Sequence, residues 1–253
     1  MTPSHDRVAL VTGGGTGIGR ATALALAADG LAVALAGRRR EPLADVASEI
    51  ADRGGRALAM TGDLSVPEHA QRVVGAAVEA FGGLHVVVNG AGAIRRNVRL
   101  HEVDVERWDE QIAVNLRAPY LVLRAALPAL LAASGDRAIV NVSSTLAIKA
   151  DAGVAPYAAA KGALLALTRT VAVEYARDGI RCNAVLPAVV RTPLARVDRP
   201  DFEERAGTMA GAYPLGRLGE PEDVAQAIRW LVSEDSGWIT GVTLNVDGGF
   251  TVG

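Results

Sequence analysis

The chain has 253 residues, half of them hydrophobic, and it carries a formal net charge of −2. This length and hydrophobic content suffice to bury one full core, and they lie at the upper end of what a single domain holds. Acidic and basic residues are mixed along the whole chain without a basic block. This argues against nucleic acid or an anionic membrane as a partner and favours a small-molecule ligand.

The start of the chain has no apolar segment behind a basic end, and no later segment approaches about eighteen uninterrupted apolar residues. We therefore expect a cytoplasmic protein with no signal peptide and no membrane span. Cys182 is the sole cysteine, which excludes a disulfide within the chain, and its apolar neighbours favour a buried thiol over a nucleophile. No residue is assigned to a metal site.

Short apolar segments alternate with longer segments that carry Ala and Leu at helical spacing, which predicts βα units and a parallel sheet. The apolar segments lack polar alternation, as strands covered on both faces should. The first helix is predicted over 17–29, ending at Gly30. We predict one doubly wound, Rossmann-like α/β domain over 1–253 with helices on both faces of a seven-stranded parallel sheet. The predicted strands are 8–11, 31–36, 57–60, 86–88, 138–142, 181–186 and 242–246.

A glycine-rich turn follows the first predicted strand, where residues 12–19 read TGGGTGIG and open into a helix. Glycines let the backbone approach a pyrophosphate, whose charge is stabilised by free N–H groups and by the helix dipole. The GxxxGxG spacing differs from the usual GxGxxG of dinucleotide sites, so a plain turn is the alternative. The cofactor-binding residues predicted here are Gly13, Gly15, Thr16, Gly17, Ile18 and Gly19.

The end of the second strand bears on the choice of cofactor, since an acid there binds a ribose 2′-hydroxyl and an arginine accommodates a 2′-phosphate. Residues 36–40 read AGRRR, with no acid. Guanidinium groups bind phosphate through two parallel hydrogen bonds. We therefore predict that Arg38 and Arg39 favour NADP, with NAD as the alternative; arginines at a strand end are otherwise solvated surface residues.

Tyr157 and Lys161 lie one helical turn apart, so their side chains share a face. A free phenol has a pKa of about 10, and a nearby ammonium stabilises the phenolate, which makes the tyrosine a usable proton shuttle. Upstream, the fifth predicted strand ends in Ser143 and Ser144, at the end of a parallel strand where active sites form. Ser144 can donate a hydrogen bond to a substrate oxygen, although serines after strands usually cap turns.

With these residues in place, the sequence resembles a classical short-chain dehydrogenase/reductase from Arg7 to Gly249. Five motifs occur in that family's order, and their joint occurrence is highly specific. They are the glycine turn, the NGAG sequence at 89–92, Asn115 in a long helix, Ser144 ahead of Tyr157 and Lys161, and the segment 187–192.

The resemblance implies a role for each catalytic residue. Tyr157 is implied as general acid in reduction and general base in oxidation, Ser144 as the group that orients and polarises the carbonyl, and Lys161 also as a ligand of the nicotinamide ribose. Asn115 is implied to hold a water that relays the proton. Further cofactor contacts implied by the resemblance are Asp63, Leu64, Asn89, Gly90, Ala91, Pro187, Val190 and Thr192; a turn residue is the alternative for Asp63.

The sequence departs from the family pattern at two positions. Gly90 replaces an asparagine that usually helps to tie neighbouring strands together, which puts that tie in doubt. Ala188 replaces a glycine after the sixth strand, and alanine tolerates that turn only if its φ is negative.

The substrate is less well defined by the sequence. We expect the stretch 194–213 to form a mobile lid that sets specificity. Arg96, after the fourth strand, resembles the same position in sugar-acid (deoxygluconate or gluconate) dehydrogenases and is a candidate for binding a substrate carboxylate. The alternative is a surface arginine paired with Glu102 or Asp104. Segments 217–225 and 247–249 resemble 3-oxoacyl-carrier-protein reductases equally, so a 3-oxoacyl thioester and a sugar acid both stay open.

The last predicted strand lies at a sheet edge, and relatives cover such an edge by pairing subunits. The resemblance therefore implies a homotetramer, with a dimer as the alternative. A protein of another class, a cofactor-binding sensor or structural protein without turnover, is the rival interpretation. The intact Ser144, Tyr157, Lys161 and Asn115 argue against it, because a sensor needs no acid/base group.

Overall fold

A seven-stranded parallel sheet forms the centre of the protein in the computed structural model, which describes residues 7–253. Each strand lies within one residue, at either end, of the segment predicted from the sequence. Residues 1–6, to which the signal-peptide prediction also applies, lie outside the described residues. The strands are β1 (Val8–Thr12), β2 (Ala32–Gly37), β3 (Ala57–Thr61), β4 (Val86–Asn89), β5 (Arg137–Val142), β6 (Ile180–Pro187) and β7 (Thr243–Val246).

The strand order is β3-β2-β1-β4-β5-β6-β7, with every neighbouring pair parallel. The chain runs outwards from β1 to β3, returns to β4 beside β1, and then runs outwards to β7. The direction of winding therefore reverses between β1 and β4, which is where doubly wound sheets bind their ligands. β7 lies at an edge of the sheet, as predicted.

Helices cover both faces of the sheet. They are α1 (Gly17–Ala28), α2 (Arg40–Asp52), α3 (Pro67–Phe81), α4 (Val105–Ile112), α5 (Ala118–Ala132), α6 (Ala155–Tyr175), α7 (Pro193–Arg196), α8 (Phe202–Ala210) and α9 (Pro221–Leu231). Side chains on alternate strand positions pack against α3, α5 and α6 on one face and against α1, α2 and α9 on the other. Both faces are thus apolar, which explains why the strand sequences show no polar alternation.

A chain of buried amides links the centre of the sheet to α6. Asn89 donates through Nδ2 to Oδ1 of Asn141 at 2.8 Å, and Asn141 donates in turn to Oγ1 of Thr168 at 2.9 Å. β4 and β5 are therefore tied together although Gly90 has no side-chain amide. The N–H of Gly90 instead donates to Oγ1 of Thr12 at 3.1 Å.

Two smaller expectations concern single residues. Ala188 is not among the non-glycine residues of the described chain that have positive φ, so its turn needs no glycine. The thiol of Cys182 is fully buried, and burial raises its pKa to about 12. Such a thiol is not a nucleophile near neutral pH.

No helix within residues 7–253 combines the length and the apolar character that crossing a membrane requires.

Candidate active site

Two adjoining clefts open where the strands end, on either side of Gly92, which lines both. The first cleft contains predicted cofactor residues from the ends of β1, β2, β3 and β4: Gly13, Gly15, Thr16, Arg38, Arg39, Asp63, Leu64 and Ala91. The second contains predicted catalytic, cofactor and substrate residues: Ile18, Gly90, Arg96, Ser144, Tyr157, Lys161, Pro187, Val190 and Thr192. Gly17, Gly19, Asn89 and Asn115, also predicted site residues, line neither cleft.

The glycines of the turn after β1 allow close backbone packing. Gly13 has φ +70°, and a Cβ there would lie 2.9 Å from the Cα of Ala91. A Cβ on Gly19 would lie only 2.2 Å from the carbonyl oxygen of Gly13. Gly17 has φ +51° at the first position of α1. The turn therefore brings the amino-terminal end of α1, with its free N–H groups, to the first cleft.

The charged residues that line the first cleft differ in exposure and in hydrogen bonding. Arg38 and Arg39 are exposed, and residues 38–40, directly after β2, include no acid. Asp63 accepts hydrogen bonds from the N–H and hydroxyl of Ser65, at 3.0 and 2.7 Å. These bonds lower the pKa of Asp63. Asp63 thus stabilises a turn, as the alternative interpretation of this residue predicts, and it also lines the first cleft.

Ser144, Tyr157 and Lys161 meet in the second cleft, from the end of β5 and the first turns of α6. Tyr157 is 6% exposed and Lys161 3% exposed. The Nζ atom of Lys161 lies 5.7 Å from the centre of the Tyr157 ring and donates to the carbonyl oxygen of Val142 at 2.8 Å. Both serines line the cleft, but the Ser143 hydroxyl is used in a hydrogen bond to the carbonyl oxygen of Lys161 at 2.9 Å. Of the two serines, Ser144 is therefore the better donor to a ligand.

Burial dominates the electrostatics of this site. It raises the pKa of Tyr157, while a side-chain hydrogen bond with Ser144 and the charge of Arg96 act in the opposite direction. Burial lowers the pKa of Lys161 to about 8. The sequence pattern predicts that Lys161 lowers the pKa of Tyr157, and Lys161 lies beside the ring. Ser144 and Arg96 also act on the pKa in this direction.

Asn115 lies in a π-helical turn, Ala113–Arg117, between α4 and α5. The sequence had predicted a long helix here, and the π turn is a local irregularity that periodicity does not reveal. The side chain is fully buried; it donates to the carbonyl oxygens of Ala93 at 2.8 Å and Gln111 at 2.9 Å, and it accepts from the N–H of Ala93 at 3.2 Å. Asn115 therefore fixes the loop after β4 against the helix.

Arg96 does not form either of the ion pairs considered for it. The carboxylate of Glu102 accepts from the N–H of Arg99, and that of Asp104 accepts from the N–H of Arg107. The Arg96 side chain instead points into the second cleft.

Residues of the predicted lid stretch 194–213 form one wall of the second cleft: Leu194, Ala195, Arg199 and Tyr213. Two short helices, α7 and α8, make up most of this stretch, and Phe202 and Ala206 of α8 are buried. The hydroxyl of Tyr213 accepts from the N–H of Val189 at 3.1 Å. Arg199 is a cleft residue that the sequence interpretation missed, because a single arginine in a mixed segment gives no signal of its own.

Comparison with known proteins agrees with this geometry. Residues 13–251 match the family model described as enoyl-(acyl carrier protein) reductase. The chain is 39% identical over 247 residues to cyclohexanol dehydrogenase of Acinetobacter sp. (strain SE19), covering 98% of this chain and 96% of the relative. It is 42% identical over 246 residues to cis-4-hydroxycyclohexanecarboxylate dehydrogenase of Sinomonas cyclohexanicum, covering 97% of each.

Among solved structures, a protein from Beutenbergia cavernae superposes with a TM-score of 0.91 at 38% identity, covering 99% of this chain and 98% of that one. That structure is provisionally described as an NAD(P)-dependent gluconate 5-dehydrogenase with NADP bound at low occupancy. The chain belongs to the classical short-chain dehydrogenase/reductase family, whose members use NAD(P). It is an oxidoreductase that acts on an alcohol or a ketone.

Proposed function

We propose that this protein transfers a hydride between a nicotinamide cofactor in the two adjoining clefts and a secondary alcohol or ketone, with Ser144, Tyr157 and Lys161 as its catalytic groups. The observation that carries the proposal is that these three side chains line one cleft, which adjoins the glycine-rich turn through Gly92. A hydroxyl, a phenol and an ammonium in one buried site form an acid/base set for carbonyl chemistry.

Hydride transfer between the carbinol carbon and the nicotinamide is the chemistry that NAD(P) would supply when bound. In oxidation, the Tyr157 phenolate takes the proton of the substrate hydroxyl, and Ser144 donates a hydrogen bond to the same oxygen. Lys161 would bind the nicotinamide ribose. The side-chain atoms of Asn115 are bonded to Ala93 and Gln111, so Asn115 would hold the water that relays the proton through its main chain. Negative charge grows on the substrate oxygen during reduction, so donors aimed at it stabilise the transition state more than the ground state.

The residues of the first cleft fit a dinucleotide. The space a Cβ would fill at Gly13 and Gly19 is already occupied by neighbouring backbone, so the turn stays narrow and its N–H groups stay accessible. Arg38 and Arg39 would hold a 2′-phosphate, which makes NADP the preferred cofactor and NAD the alternative. The NADP in the Beutenbergia cavernae structure supports this preference.

The two substrate classes that the sequence favours, a sugar acid and a 3-oxoacyl thioester, each have support among the relatives. The gluconate dehydrogenase description supports the first, and the acyl-carrier-protein reductase family model supports the second. The cyclohexanol and hydroxycyclohexanecarboxylate dehydrogenases add a third class, cyclic alcohols.

The test is reduced-nicotinamide absorbance with each cofactor and a panel of cyclic alcohols, hydroxy acids, sugar acids and oxoacyl thioesters. Tyr157→Phe should abolish turnover while leaving NADP binding, measured by calorimetry, within about threefold of the wild type. Tyr175→Phe, at the far end of α6, is the matched control and should retain full activity. Turnover that persists in Tyr157→Phe would refute the assigned acid/base, and cofactor binding without turnover on any substrate would favour the sensor.

We also propose that the protein is a homotetramer, with a dimer as the alternative. Within residues 7–253, no further strand pairs with the outer side of β7, which leaves that edge of the sheet open. Near this edge, the Trp238 side chain is fully exposed and that of Trp230 is 42% exposed. Large exposed aromatic side chains at a sheet edge favour a subunit interface. Light scattering coupled to size-exclusion chromatography, on the wild type and on Trp238→Glu, tests this assembly.

A further inference from the structure

Two arginines, Arg96 and Arg199, reach the second cleft from loops that are far apart in the sequence, and both line it together with Ser144 and Tyr157. Nε of Arg96 and Nη1 of Arg199 are buried, and neither atom has a hydrogen-bond partner within residues 7–253. Neither guanidinium forms an ion pair with the described part of the chain. Because buried polar groups are nearly always paired, an unpaired buried nitrogen on each of two guanidinium groups in one cleft indicates a missing hydrogen-bond acceptor.

The two loops are fastened to each other. The N–H of Arg96 donates to Oδ2 of Asp198 at 3.0 Å, and Nδ2 of Asn97 donates to the carbonyl oxygen of Asp198 at 3.4 Å. On the other side, Nη2 of Arg107 donates to the carbonyl oxygen of Arg96 at 3.0 Å. These bonds hold the Arg96 backbone from both directions, and Asp198 immediately precedes Arg199. The spacing between the two arginines is therefore built into the backbone.

The backbone conformation supports the same conclusion. Asn97 and Asp198, with φ of 64° and 56°, are the non-glycine residues of the described chain that have positive φ. Each is next to one of the two arginines. Asn and Asp tolerate this region better than other side chains, yet it is still unfavourable and is found preferentially at ligand sites.

The charges around the arginines leave a positive excess. Burial lowers the pKa of Arg96, the charge of Arg199 lowers it further, and the charges of Tyr157, Asp151 and Asp198 act in the opposite direction. Lys161 adds a third basic group to the cleft, and Asp151 is the acidic residue among the lining side chains. Asp151 is exposed, and its Oδ1 accepts from the N–H of Ala152 at 2.8 Å. Since arginine does not deprotonate in proteins, an anionic ligand group is the simplest way to balance these charges.

Part of the substrate-side wall is apolar. Ile94, Leu146 and Leu194 line the cleft together with Tyr157, and they belong to one packed cluster. Apolar walls favour a hydrocarbon body over a polyol, because they offer no partners for hydroxyl groups.

We propose that Arg96 and Arg199 bind the carboxylate of a hydroxy acid with a compact apolar body, whose hydroxyl reaches Ser144 and Tyr157. This inference deepens the proposed function and rests on it. In oxidation, the carbinol carbon gives its hydride to the nicotinamide and the hydroxyl gives its proton to Tyr157, which leaves a keto acid. The carboxylate is unchanged, and it serves to place the carbinol.

Binding of non-reacting probes tests the carboxylate site without turnover. Calorimetry with NADP⁺ present compares cyclohexanecarboxylate with cyclohexanecarboxamide, a neutral analogue of the same size. The wild type should bind the acid at least about 10-fold more tightly. Arg96→Met and Arg199→Met should each weaken acid binding by about 10- to 100-fold, as expected for loss of a charged hydrogen bond, and change amide binding less than about threefold.

Arg205→Met is the matched control, since Arg205 is exposed on α8, pairs with Asp201 at 3.5 Å and lies outside the cleft. It should bind both probes like the wild type. Equal binding of acid and amide, no binding of the acid, or an equal loss in the control would overturn the carboxylate site. Because the cleft variants remove unpaired charges, their thermal midpoints should not fall, which separates lost binding from lost folding.

Turnover measurements separate a failure of the carboxylate site from a failure of the proposed hydride transfer. The wild type should oxidise 4-hydroxycyclohexanecarboxylate with a higher kcat/KM than its methyl ester, and Arg199→Met should remove that difference. Equal turnover of acid and ester would overturn the carboxylate site while leaving hydride transfer intact. Acid binding without any hydride transfer would instead overturn the catalytic assignment. A preference for gluconate over the cyclic acid would refute the claim that the substrate has an apolar body.

Discussion

Lys161→Met should abolish activity and stabilise the fold near neutral pH. Lys161 is 3% exposed, and burial lowers its pKa from 10.5 to about 8. Since one pKa unit corresponds to about 1.4 kcal/mol, holding this ammonium in the folded state at pH 7 weakens folding by about 3 kcal/mol. Methionine has a similar length and no charge. Losing the bond to the Val142 carbonyl offsets about 1–2 kcal/mol, so we expect a net gain of about 1–2 kcal/mol at pH 7.

The gain should depend on pH in a defined direction. The folded-state pKa of Lys161 lies below its unfolded value, so between about pH 8 and 10.5 the unfolded chain binds more protons. Lys161 therefore destabilises the folded wild type most below pH 8, and this destabilisation decreases as the pH rises through this window. Methionine does not titrate. The advantage of the variant should fall by about 2.5 kcal/mol between pH 7 and pH 10.

Urea unfolding of both proteins at pH 7, 8.5 and 10, at one protein concentration, measures this difference. Lys149→Met provides the contrast, since Lys149 donates to the Phe250 carbonyl at 2.8 Å and lies 4.0 Å from the centre of the Phe250 ring. That variant should be less stable than the wild type. A Lys161→Met effect that does not change with pH, or that grows in favour of the variant towards pH 10, would refute the reasoning.

Three further predictions concern the buried amides, the glycine turn and the acid/base pair. Asn141→Leu leaves buried partners unpaired and should lower the free energy of unfolding by about 2–4 kcal/mol in urea titrations. Gly19→Ala places a methyl group 2.2 Å from the Gly13 carbonyl oxygen, so NADP binding measured by calorimetry should weaken at least about 10-fold. Ser144→Ala removes a hydrogen bond that lowers the pKa of Tyr157. Because oxidation needs the phenolate, the rising limb of its pH–rate profile should move to higher pH.

Each of these predictions has an outcome that contradicts it. Gly75→Ala, an exposed site on α3 where a Cβ meets nothing within 4 Å, should bind NADP normally and gain up to about 1 kcal/mol. Normal NADP binding by Gly19→Ala would mean that the turn does not hold the cofactor. Wild-type stability of Asn141→Leu would show that the amide chain contributes no net stability, and an unmoved profile in Ser144→Ala would exclude its effect on Tyr157.

The strands could be predicted from the sequence because their residues are buried on both faces, which leaves uninterrupted apolar segments bounded by turns. The spacing of Tyr157 and Lys161 likewise predicted that they share one face of a helix, since residues four apart are neighbours on a helix surface. The order of the motifs then indicated the family, which the comparisons confirm. The departures at Gly90 and Ala188 could be named from the sequence, but their consequences could not.

What only the tertiary structure decided depends on contacts between distant segments. Arg96 and Asp198 are 102 residues apart, and their hydrogen bond brings Arg199 into the cleft. No local sequence pattern predicts that Arg96 and Arg199 lie in one cleft, because each arginine by itself resembles a solvated surface residue. The π turn at Asn115 likewise depends on its bonds to the loop after β4. The sequence by itself determined the sheet and the acid/base pair through periodicity, whereas burial and charge in the substrate cleft arise only when the loops meet.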